Sequence, residues 1–484
     1  MTGRFSGGFH TSASAEPRTP GNSTPIPSAS GSSFDGLPLP QRYWAMLTIA
    51  LAVGMTVIDG TVANIALPTI ARDVGATPAA SIWVVNAYQL AVTISLLPLA
   101  SLGDIYGYRR VYQYGLIVFT IASFACSQSD SLLTLTIARI IQGFGAAGIM
   151  SVNGALLRFI YPRRWIGRGV GLNATIGSIA SAVGPTVASG ILSIATWPWL
   201  FAVNVPIGLV AIPIALRALP YTRSSGSRFD APSAIWSALT FGILVSAISA
   251  FGHGESASMA GAELCFAAVF GFVLATRQLS QTSPMLPIDL LKIRLFALSV
   301  ATSICSFLGQ SMALVSLPFL FENTLGRSQV ETGLLLTPWP LAVAIIAPFT
   351  GRLSDRYPAG LLGGCGLAVM AVGLGLVALL PAHPGTFDIV WRLLICGIGF
   401  GFFNTPNNRA ILTSAPPHRA GAASGMQATS RLLGQSMGAA MVALMFGLFP
   451  ESGTRESLVV ATCIAAVAAL VSFSRLTETA HIGR

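Results

Sequence analysis

The sequence has very little charge. Of its 484 residues, 9% are Asp, Glu, Lys or Arg and 53% are hydrophobic, whereas soluble proteins have roughly 25% charged residues. A water-exposed surface of ordinary size cannot be built from so few charges, so the composition predicts a protein that lies mostly in lipid. The net charge is +10, but the arginines are scattered between apolar runs. That pattern favours signals for membrane orientation over a nucleic-acid surface.

Metal-binding, disulfide and nucleotide-binding motifs are also missing. The six cysteines fall one per hydrophobic segment without a CxxC pair, and the five histidines do not cluster with them. We interpret the cysteines as packing residues and predict no metal site. There is no Gly-x-x-x-x-Gly-Lys-Ser/Thr sequence, which disfavours ATP as the energy source. We expect no bound cofactor.

Residues 1–42 differ from the rest of the chain in being rich in Ser, Pro, Gly and Thr. They can bury too little apolar surface to fold, so we predict a disordered cytoplasmic tail. The segment lacks the apolar core of a signal peptide. Its serines, with Arg4 and Arg18, would also fit a transit peptide, although so few arginines disfavour that alternative.

Hydrophobic runs of about 20 residues, the length needed to cross a bilayer, fill the remainder. They predict fourteen spans, at 43–68, 80–102, 111–128, 131–157, 168–194, 197–217, 232–252, 260–277, 295–321, 330–351, 359–381, 389–412, 420–447 and 457–474. With both termini in the cytoplasm, the inner loops carry 16 basic residues and the outer loops four. This asymmetry obeys the positive-inside rule, and a miscounted span would disrupt it.

A charged turn occurs once in each half of the chain, after span two and after span ten. Its members are Gly103, Asp104, Gly107, Arg109 and Arg110 in the first copy and Gly351, Asp355 and Arg356 in the second. The repeat predicts an all-α integral membrane protein of two six-helix bundles, 43–217 and 295–474, related by pseudo-two-fold symmetry. Spans 232–277 are then an inserted helix pair, and 475–484 a second cytoplasmic tail.

Span four carries an arginine inside an apolar run, Leu135-Thr-Ile-Ala-Arg139-Ile-Ile-Gln142-Gly143. An arginine within a span costs roughly 2.5–3.5 kcal/mol on insertion scales and normally faces a partner or a wet cavity. Arg139 and Gln142 lie three residues apart and share one helical face. A purely structural arginine is the alternative.

These motifs resemble the major facilitator superfamily, specifically its fourteen-span drug:proton antiporter branch. The turns look like the superfamily's loop motif, and span four matches its Leu-x-x-x-Arg-x-x-Gln-Gly pattern. Gly184-Pro185 in span five is similar to the antiporter motif, where glycines permit close helix packing. Ile58–Pro68 and Trp197–Gly208 look like the branch's first and sixth spans. The resemblance covers residues 43–474.

The chain also departs from the family pattern. Ala100 and Ile105 replace a glycine and an arginine of the first turn, and Ala180, Ala188 and Ser189 replace glycines of span five. Only Ile105 changes the chemistry, leaving the first turn poorer in charge than the second. We interpret both turns as conformational latches and place the transport chemistry deeper in the membrane.

Asp59 is the acidic residue deep inside a span of the first half. Counting 1.5 Å per residue, it lies roughly 13 Å below the outer end of span one, and Arg139 lies roughly 12 Å below that of span four. The two charges should therefore be at similar depth. We predict that Asp59 takes up the proton and contacts a substrate cation, and that Arg139 sets its affinity.

Arg431 in span thirteen has two interpretations. It lines the cavity, where it would disfavour cations or bind an anionic group, or it docks on the first turn near Asp104, which we favour slightly. The polar residues predicted to line the cavity, each of which could instead bond a neighbouring helix, are Asn86, Tyr88, Gln89, Gln142, Gln310, Trp339, Asn404, Asn407 and Asn408.

The function predicted from these features is proton-coupled efflux of hydrophobic, often cationic, toxic compounds by a monomer in the plasma membrane. The partners are then a small-molecule substrate, protons and lipid, and not nucleic acid. A transporter of one metabolite is the nearest alternative. A channel or membrane enzyme is disfavoured, because the chain has neither a filter sequence nor an extramembrane domain.

Overall fold

The computed structural model of the chain describes residues 36–162, 165–222, 229–252, 257–280, 288–354, 356–416 and 419–482. These residues form helices and connecting turns, and none of them belongs to a β-strand. The helices are α1 Leu39–Asp73, α2 Pro78–Ser81, α3 Trp83–Tyr106, α4 Tyr108–Ser127, α5 Leu132–Ile160, α6 Ile166–Ile194, α7 Trp199–Ala202, α8 Asn204–Ala218, α9 Ala231–Gly252, α10 Ala257–Leu279, α11 Arg294–Phe319, α12 Gln329–Leu336, α13 Pro338–Leu353, α14 Ala359–Ala378, α15 Thr386–Ser414, α16 Ala420–Leu448 and α17 Gly453–Ile482.

The all-helical membrane architecture is confirmed. Thirteen helical segments within the described ranges are long and apolar enough to cross a bilayer. The predicted span at 111–128 is not among these thirteen segments. It corresponds to α4, which has 20 residues but begins with polar side chains, including Arg109, Arg110 and Gln113. Lipid offers no hydrogen-bond partners to the backbone, so spanning segments must satisfy their own amides as helices.

Both predicted tails need correction where the structure describes them. Residues 1–35 of the predicted tail 1–42 lie outside the described residues, but α1 already begins at Leu39. The amide of Leu37 donates to the carbonyl of Ile160 at 3.0 Å, which ties this segment to the end of α5. At the other terminus, α17 continues to Ile482, so the predicted tail 475–484 starts inside a helix. The predicted tail began too early because hydropathy drops at Arg475. In the structure, hydrogen bonds to neighbouring side chains stabilise this arginine inside the helix.

Several of the predicted spans consist of two helices in series. Span ten consists of α12 and α13, because Pro338 begins a new helix directly after Thr337. Proline has no amide to donate and suits the first turn of a helix. At the end of α11 a short π-helix, Leu320–Thr324, follows Pro318. Both irregularities lie beside the residues described below.

Helix packing brings the two halves together around one centre. In the first half, α5 packs against α3 and α4, and α1 packs against α6 and α8. In the second half, α14 packs against α15 and α17, and α11 against α16 and α17. Contacts between the halves are made by α3 with α16, α6 with α12 and α13, and α1 with α11. Helix α9 lies against α3 and α16, and α10 against α9.

Each half contains a helix pair in contact at backbone distance through glycine. A Cβ on Gly145 of α5 would lie 2.5 Å from the amide nitrogen of Phe119 in α4. A Cβ on Gly399 of α15 would lie 2.4 Å from the amide nitrogen of Met370 in α14. Without a side chain at these positions the backbones can approach closely, which in lipid is a main source of helix association.

Candidate functional site

A cavity of about 460 Å³ lies at the centre of the fold. Helices from both halves of the chain form its wall. The lining residues are Val57, Thr61, Asn64, Ile65, Gly177, Ser178, Ser181, Pro185, Phe307, Gln310, Leu314, Leu336, Trp339, Pro340, Val343, Ala344, Phe400, Asn404, Asn408, Ser424, Gln427, Ala428, Arg431 and Gln435. The volume is in the range of small-molecule sites.

The cavity extends towards one end of the fold, the end at which α1 begins and α3 turns into α4, here called the basic end. Ser424 near the start of α16 and Asn408 near the end of α15 belong to its wall. At the opposite end, contacts between the halves close it. Ser189 Oγ on α6 donates to the carbonyl of Val330 on α12 at 3.0 Å, and the hydroxyls of Thr186 and Thr337 are 3.1 Å apart.

An ion pair adds to this closure. Glu322 in the π-helix accepts a hydrogen bond from Arg72 at 2.9 Å and one from Thr69 at 3.3 Å, both through Oε2. The Glu322 side chain is 2% exposed and that of Arg72 is 61% exposed. The pair joins the end of α1 to the second half of the chain and thus holds the two halves together opposite the basic end.

Replacing Glu322 by glutamine is expected to weaken this closure, since the amide keeps the shape but loses the charge. Because Arg72 is largely exposed, the pair contributes only about 1 kcal/mol, which corresponds to roughly a fivefold shift of an opening equilibrium. Opening is measured as the alkylation rate of Thr337→Cys by a membrane-impermeant maleimide, in a chain whose native cysteines have been replaced. Glu456→Gln at the same end is the control, and an unchanged rate in the Glu322 variant would contradict the assignment.

Asp59 lies in a buried polar network beside the cavity. Its Oδ2 accepts from Arg139 Nη1 at 2.5 Å. Its Oδ1 accepts from Gln142 Nε2 at 2.8 Å and from Asn204 Nδ2 at 3.0 Å. The side chains of Asp59 and Arg139 are 1% and 0% exposed. The depth count placed these two charges at similar depth in the membrane, and in the structure they are in direct contact.

The arginine is held on several sides. Arg139 Nε donates to the carbonyl of Val84 at 3.0 Å, and its guanidinium carbon lies 4.1 Å from the centre of the Tyr88 ring. Gln142 also donates to Ser123 Oγ at 2.8 Å. A buried ion pair is stable only when such further hydrogen bonds offset its desolvation. The network therefore gives both carboxylate oxygens of Asp59 hydrogen-bond partners in this conformation.

The network faces away from the cavity because of the helical phase of α1. Val57 and Thr61, four residues apart, both line the cavity, whereas Asp59 is about 200° around the helix from each of them. Asp59 therefore points into the first half of the fold. Asp59 is not on the cavity wall, and its contact with a substrate cation stays a prediction.

Tyr88 stands between the network and the cavity. Its ring packs on Arg139, and it is close enough to Arg431 for the two groups to interact electrostatically. Arg431 itself belongs to the cavity wall. Arg139 and Arg431 are thus connected through one aromatic side chain.

The predicted lining residues divide into two groups. Gln310, Trp339, Asn404 and Asn408 are on the cavity wall. The residues that the structure places off this wall are Asn86, Tyr88, Gln89, Gln142 and Asn407. The buried amide oxygens of Asn86 and Gln89 have no hydrogen-bond partner among the described residues. Asn407, in contrast, accepts from Arg475 at 2.7 Å and donates to the carbonyl of Ser299 at 3.2 Å. Polar groups in a span need a partner, and a neighbouring helix serves as well as a cavity.

The first charged turn is built from residues on both sides of Gly107, whose φ of 96° favours glycine. The Tyr108 hydroxyl donates to Asp104, and Arg109 donates to the carbonyl of Leu216. Arg110, beside them, lines a small surface pocket. The described residues contain no ion pair between Asp104 and Arg431, so the docking that we favoured is absent from this conformation, and Arg431 lies on the cavity wall.

The second turn is described only in part. Asp355 lies outside the described residues. Gly351 is near the end of α13, and Arg356 is exposed in the turn that follows. The latch function of both turns stays a prediction.

Gly184 and Pro185 lie where α6 crosses α1 and α12. A Cβ on Gly184 would be 2.2 Å from Thr61 Oγ1, and one on Gly333 would be 2.8 Å from the Pro185 carbonyl oxygen. The close approach predicted for Gly184 is thus made to α1, at the cavity wall.

Three sets of contacts made by buried polar or charged residues were not predicted from the sequence. Asn204, which donates to Asp59, is inside the segment Trp197–Gly208. That segment was recognised as similar to the family's sixth span, but no role was assigned to Asn204. Glu322 and Arg72 are both near span ends, where charge is unremarkable. Arg475 was counted as tail, yet it is 1% exposed and bonds to Ser299, Ser472 and Asn407.

Comparisons with known proteins agree with this architecture. The family model of the Major Facilitator Superfamily matches residues 49–439. The chain is 56% identical over 446 residues to the uncharacterized transporter YebQ of Escherichia coli (strain K12), covering 92% of this chain and 98% of YebQ. It is 31% identical to the riboflavin transporter RibZ of Clostridioides difficile, over 84% of this chain and 88% of RibZ.

An efflux protein and a solved structure are also similar. The multidrug resistance protein Stp of Mycobacterium tuberculosis is 31% identical, over 82% of this chain and 74% of Stp. A bacterial homolog of the human lysosomal transporter Spinster, solved in an inward-facing and unoccupied conformation, aligns with a TM-score of 0.65 at 17% identity, over 90% of this chain and 97% of that one. At this level of identity, the similarity to the Spinster homolog concerns the fold alone.

Proposed function

Because the chain belongs to the Major Facilitator Superfamily, a family of membrane transporters, we propose that it exports hydrophobic toxic compounds across the plasma membrane in exchange for protons. The observation that carries the proposal is the central cavity, walled by helices of both halves and closed opposite the basic end. A site between two halves that can separate at either end is what alternating access requires. Efflux is favoured by the similarity to Stp.

We further propose the arrangement in the membrane. Residues 43–217 and 295–474 form two six-helix bundles, and 232–277 is an inserted pair, giving fourteen spans in a monomer. Both termini are cytoplasmic, which places the basic end on the inner side, in accordance with the positive-inside rule. The cavity described above then opens to the cytoplasm, from which a substrate would enter.

Asp59 is proposed to carry the proton. Its carboxylate is stabilised by Arg139, Gln142 and Asn204 in this conformation, so proton uptake requires that these contacts loosen. Helix α1 presents Thr61 to the cavity and Asp59 to the network, so movement of one helix changes both sites. Transport and protonation are coupled in this way without direct contact between substrate and Asp59.

Dissipating the proton gradient is expected to abolish export. Each proton moved down 100 mV supplies about 2.3 kcal/mol, and no other energy source is assigned to the chain. The measurement is efflux of preloaded Nile red, a neutral dye, from cells that lack their own pumps, before and after an uncoupler. Cells without the protein are the control, and efflux that persists after uncoupling would reject proton drive.

Transport of one metabolite is the second candidate, favoured by the similarity to RibZ. It predicts saturable transport of a single compound and no protection against a panel of unrelated toxic compounds. Growth of pump-deficient cells on such a panel separates the two functions, because a multidrug exporter raises the tolerated concentration of several compounds.

A further inference from the structure

The cavity has one charged side chain among its described lining residues, and that side chain is a cation. Arg431 is on the wall formed by α16, whereas the lining contains no aspartate or glutamate. Asp59, the acid predicted to attract cations, lies behind the wall and already accepts three hydrogen bonds. The charge in the cavity is therefore opposite to the one that a cationic substrate needs.

Arg431 is accompanied by amides on its own helix. Gln427 and Gln435 lie one turn before it and one turn after it, and both line the cavity. Residues four apart share a helical face, so the three side chains project from one strip of α16. No carboxylate among the described residues pairs with Arg431. An arginine flanked by amide donors is the arrangement that binds carboxylates, sulfonates or phosphates.

Other parts of the wall are apolar and aromatic. Phe307 and Phe400 pack edge to face with ring centres 5.3 Å apart, and Trp339 is 1% exposed. The indole Nε1 of Trp339 and the amide oxygen of Asn64 are buried without a hydrogen-bond partner among the described residues. Unpaired buried polar atoms are rare in folded proteins and suggest that a ligand or water completes them.

We propose that the transported compounds are aromatic amphiphiles with a single anionic group, held by Arg431 while the apolar body lies against the aromatic wall. The inference rests on the proposed export function and replaces the preference for cations that was predicted from the sequence. A cation brought into the cavity would meet the Arg431 guanidinium with no acid on the cavity wall to offset it, and charges interact strongly where water is scarce. An anion would accept hydrogen bonds from Arg431 and from the side-chain amides of Gln427 and Gln435 at the same time.

The test is binding to the purified full-length protein in phosphatidylcholine nanodiscs, measured by isothermal titration calorimetry. The probes are 4-(1-naphthyl)butanoate, the corresponding alcohol and 4-(1-naphthyl)butylamine, which share ring and chain and differ in charge. We expect the carboxylate to bind about tenfold or more tightly than the amine, the ratio that one charge-assisted hydrogen bond supplies. Empty nanodiscs correct for partition into lipid.

Variants assign the preference to the cavity. Arg431→Gln is expected to reduce the ratio to within about threefold, Arg431→Lys to keep its direction, and Arg455→Gln, an exposed arginine on α17, to leave it unchanged. If the glutamine variant does not fold, the ratio measured for the wild type and for Arg431→Lys decides whether the cavity prefers anions. Tighter binding of the amine, no binding of the carboxylate, or an unaltered ratio in Arg431→Gln would each overturn the proposal.

Failure of this proposal can be told apart from failure of the export function. Binding is measured without a gradient, so a protein that is not proton-coupled would still show the anion preference. Conversely, an inverted ratio would refute the anionic substrate class and leave proton-coupled export intact.

Discussion

Replacing Asp59 by asparagine is expected to abolish proton-driven accumulation while leaving substrate binding in the cavity measurable. Asparagine keeps the size and the carbonyl oxygen of the side chain but cannot take up a proton. A transporter that couples one proton at 100 mV can sustain a gradient of about fiftyfold, and the variant should sustain none. The measurement is uptake into inverted vesicles with an imposed proton gradient, together with proton release when substrate is added.

Stability must be separated from coupling, because Asp59 neutralises a buried arginine. Removing one partner of a buried ion pair typically costs about 3–5 kcal/mol, so Asp59→Asn should also lower the melting temperature. The double variant Asp59→Asn/Arg139→Gln removes both charges and should recover stability without recovering coupling. Asp388→Asn, which breaks a partly buried pair with Arg392 at a helix end, is the matched control. Coupled transport that survives in Asp59→Asn would exclude Asp59 as the proton carrier.

Introducing valine at Gly145 is expected to destabilise the fold more than any surface change. The new Cβ would lie 2.5 Å from the Phe119 amide nitrogen and 2.9 Å from the Gly115 carbonyl oxygen. Both are backbone atoms, which cannot rotate away as a side chain can. Overpacking of this kind costs about 3 kcal/mol, because α4 and α5 must separate along their contact.

Gly154 on the same helix provides the control. A Cβ at Gly154 meets no atom within 4 Å, so Gly154→Val makes the same change in helix propensity without the clash. The melting temperatures of both variants in the same detergent give the difference that is due to packing alone. Equal melting temperatures would show that the approach of α4 to α5 is not needed for stability.

The membrane class and the approximate positions of the helices were predictable because they depend on composition and on run length. A chain with 9% charged residues must use lipid as its solvent, and about 20 apolar residues are needed for each crossing. The pairing of Asp59 with Arg139 was also within reach, since two lone charges at equal depth in an apolar medium are strongly driven together.

The errors share one cause. Asn86, Gln89 and Asn407 were predicted to line the cavity from their polarity, but polarity indicates only that a partner is needed. Spanning helices are apolar all round, so their sequences carry no periodic signal to show which face meets the cavity. For the same reason the sequence favoured the latch only slightly over the cavity for Arg431, and the structure places it on the cavity wall.

The sequence by itself determined the solvent, the helical class, the turns repeated in the two halves and the two charges buried in the first half. Those features follow from residue type and spacing along the chain. Only the tertiary structure decided that Asp59 faces away from the cavity, that Arg431 is the charge within it, and that Glu322 closes the opposite end. Each of these depends on the rotation of one helix against others distant in sequence, and that rotation is set by packing contacts between helices.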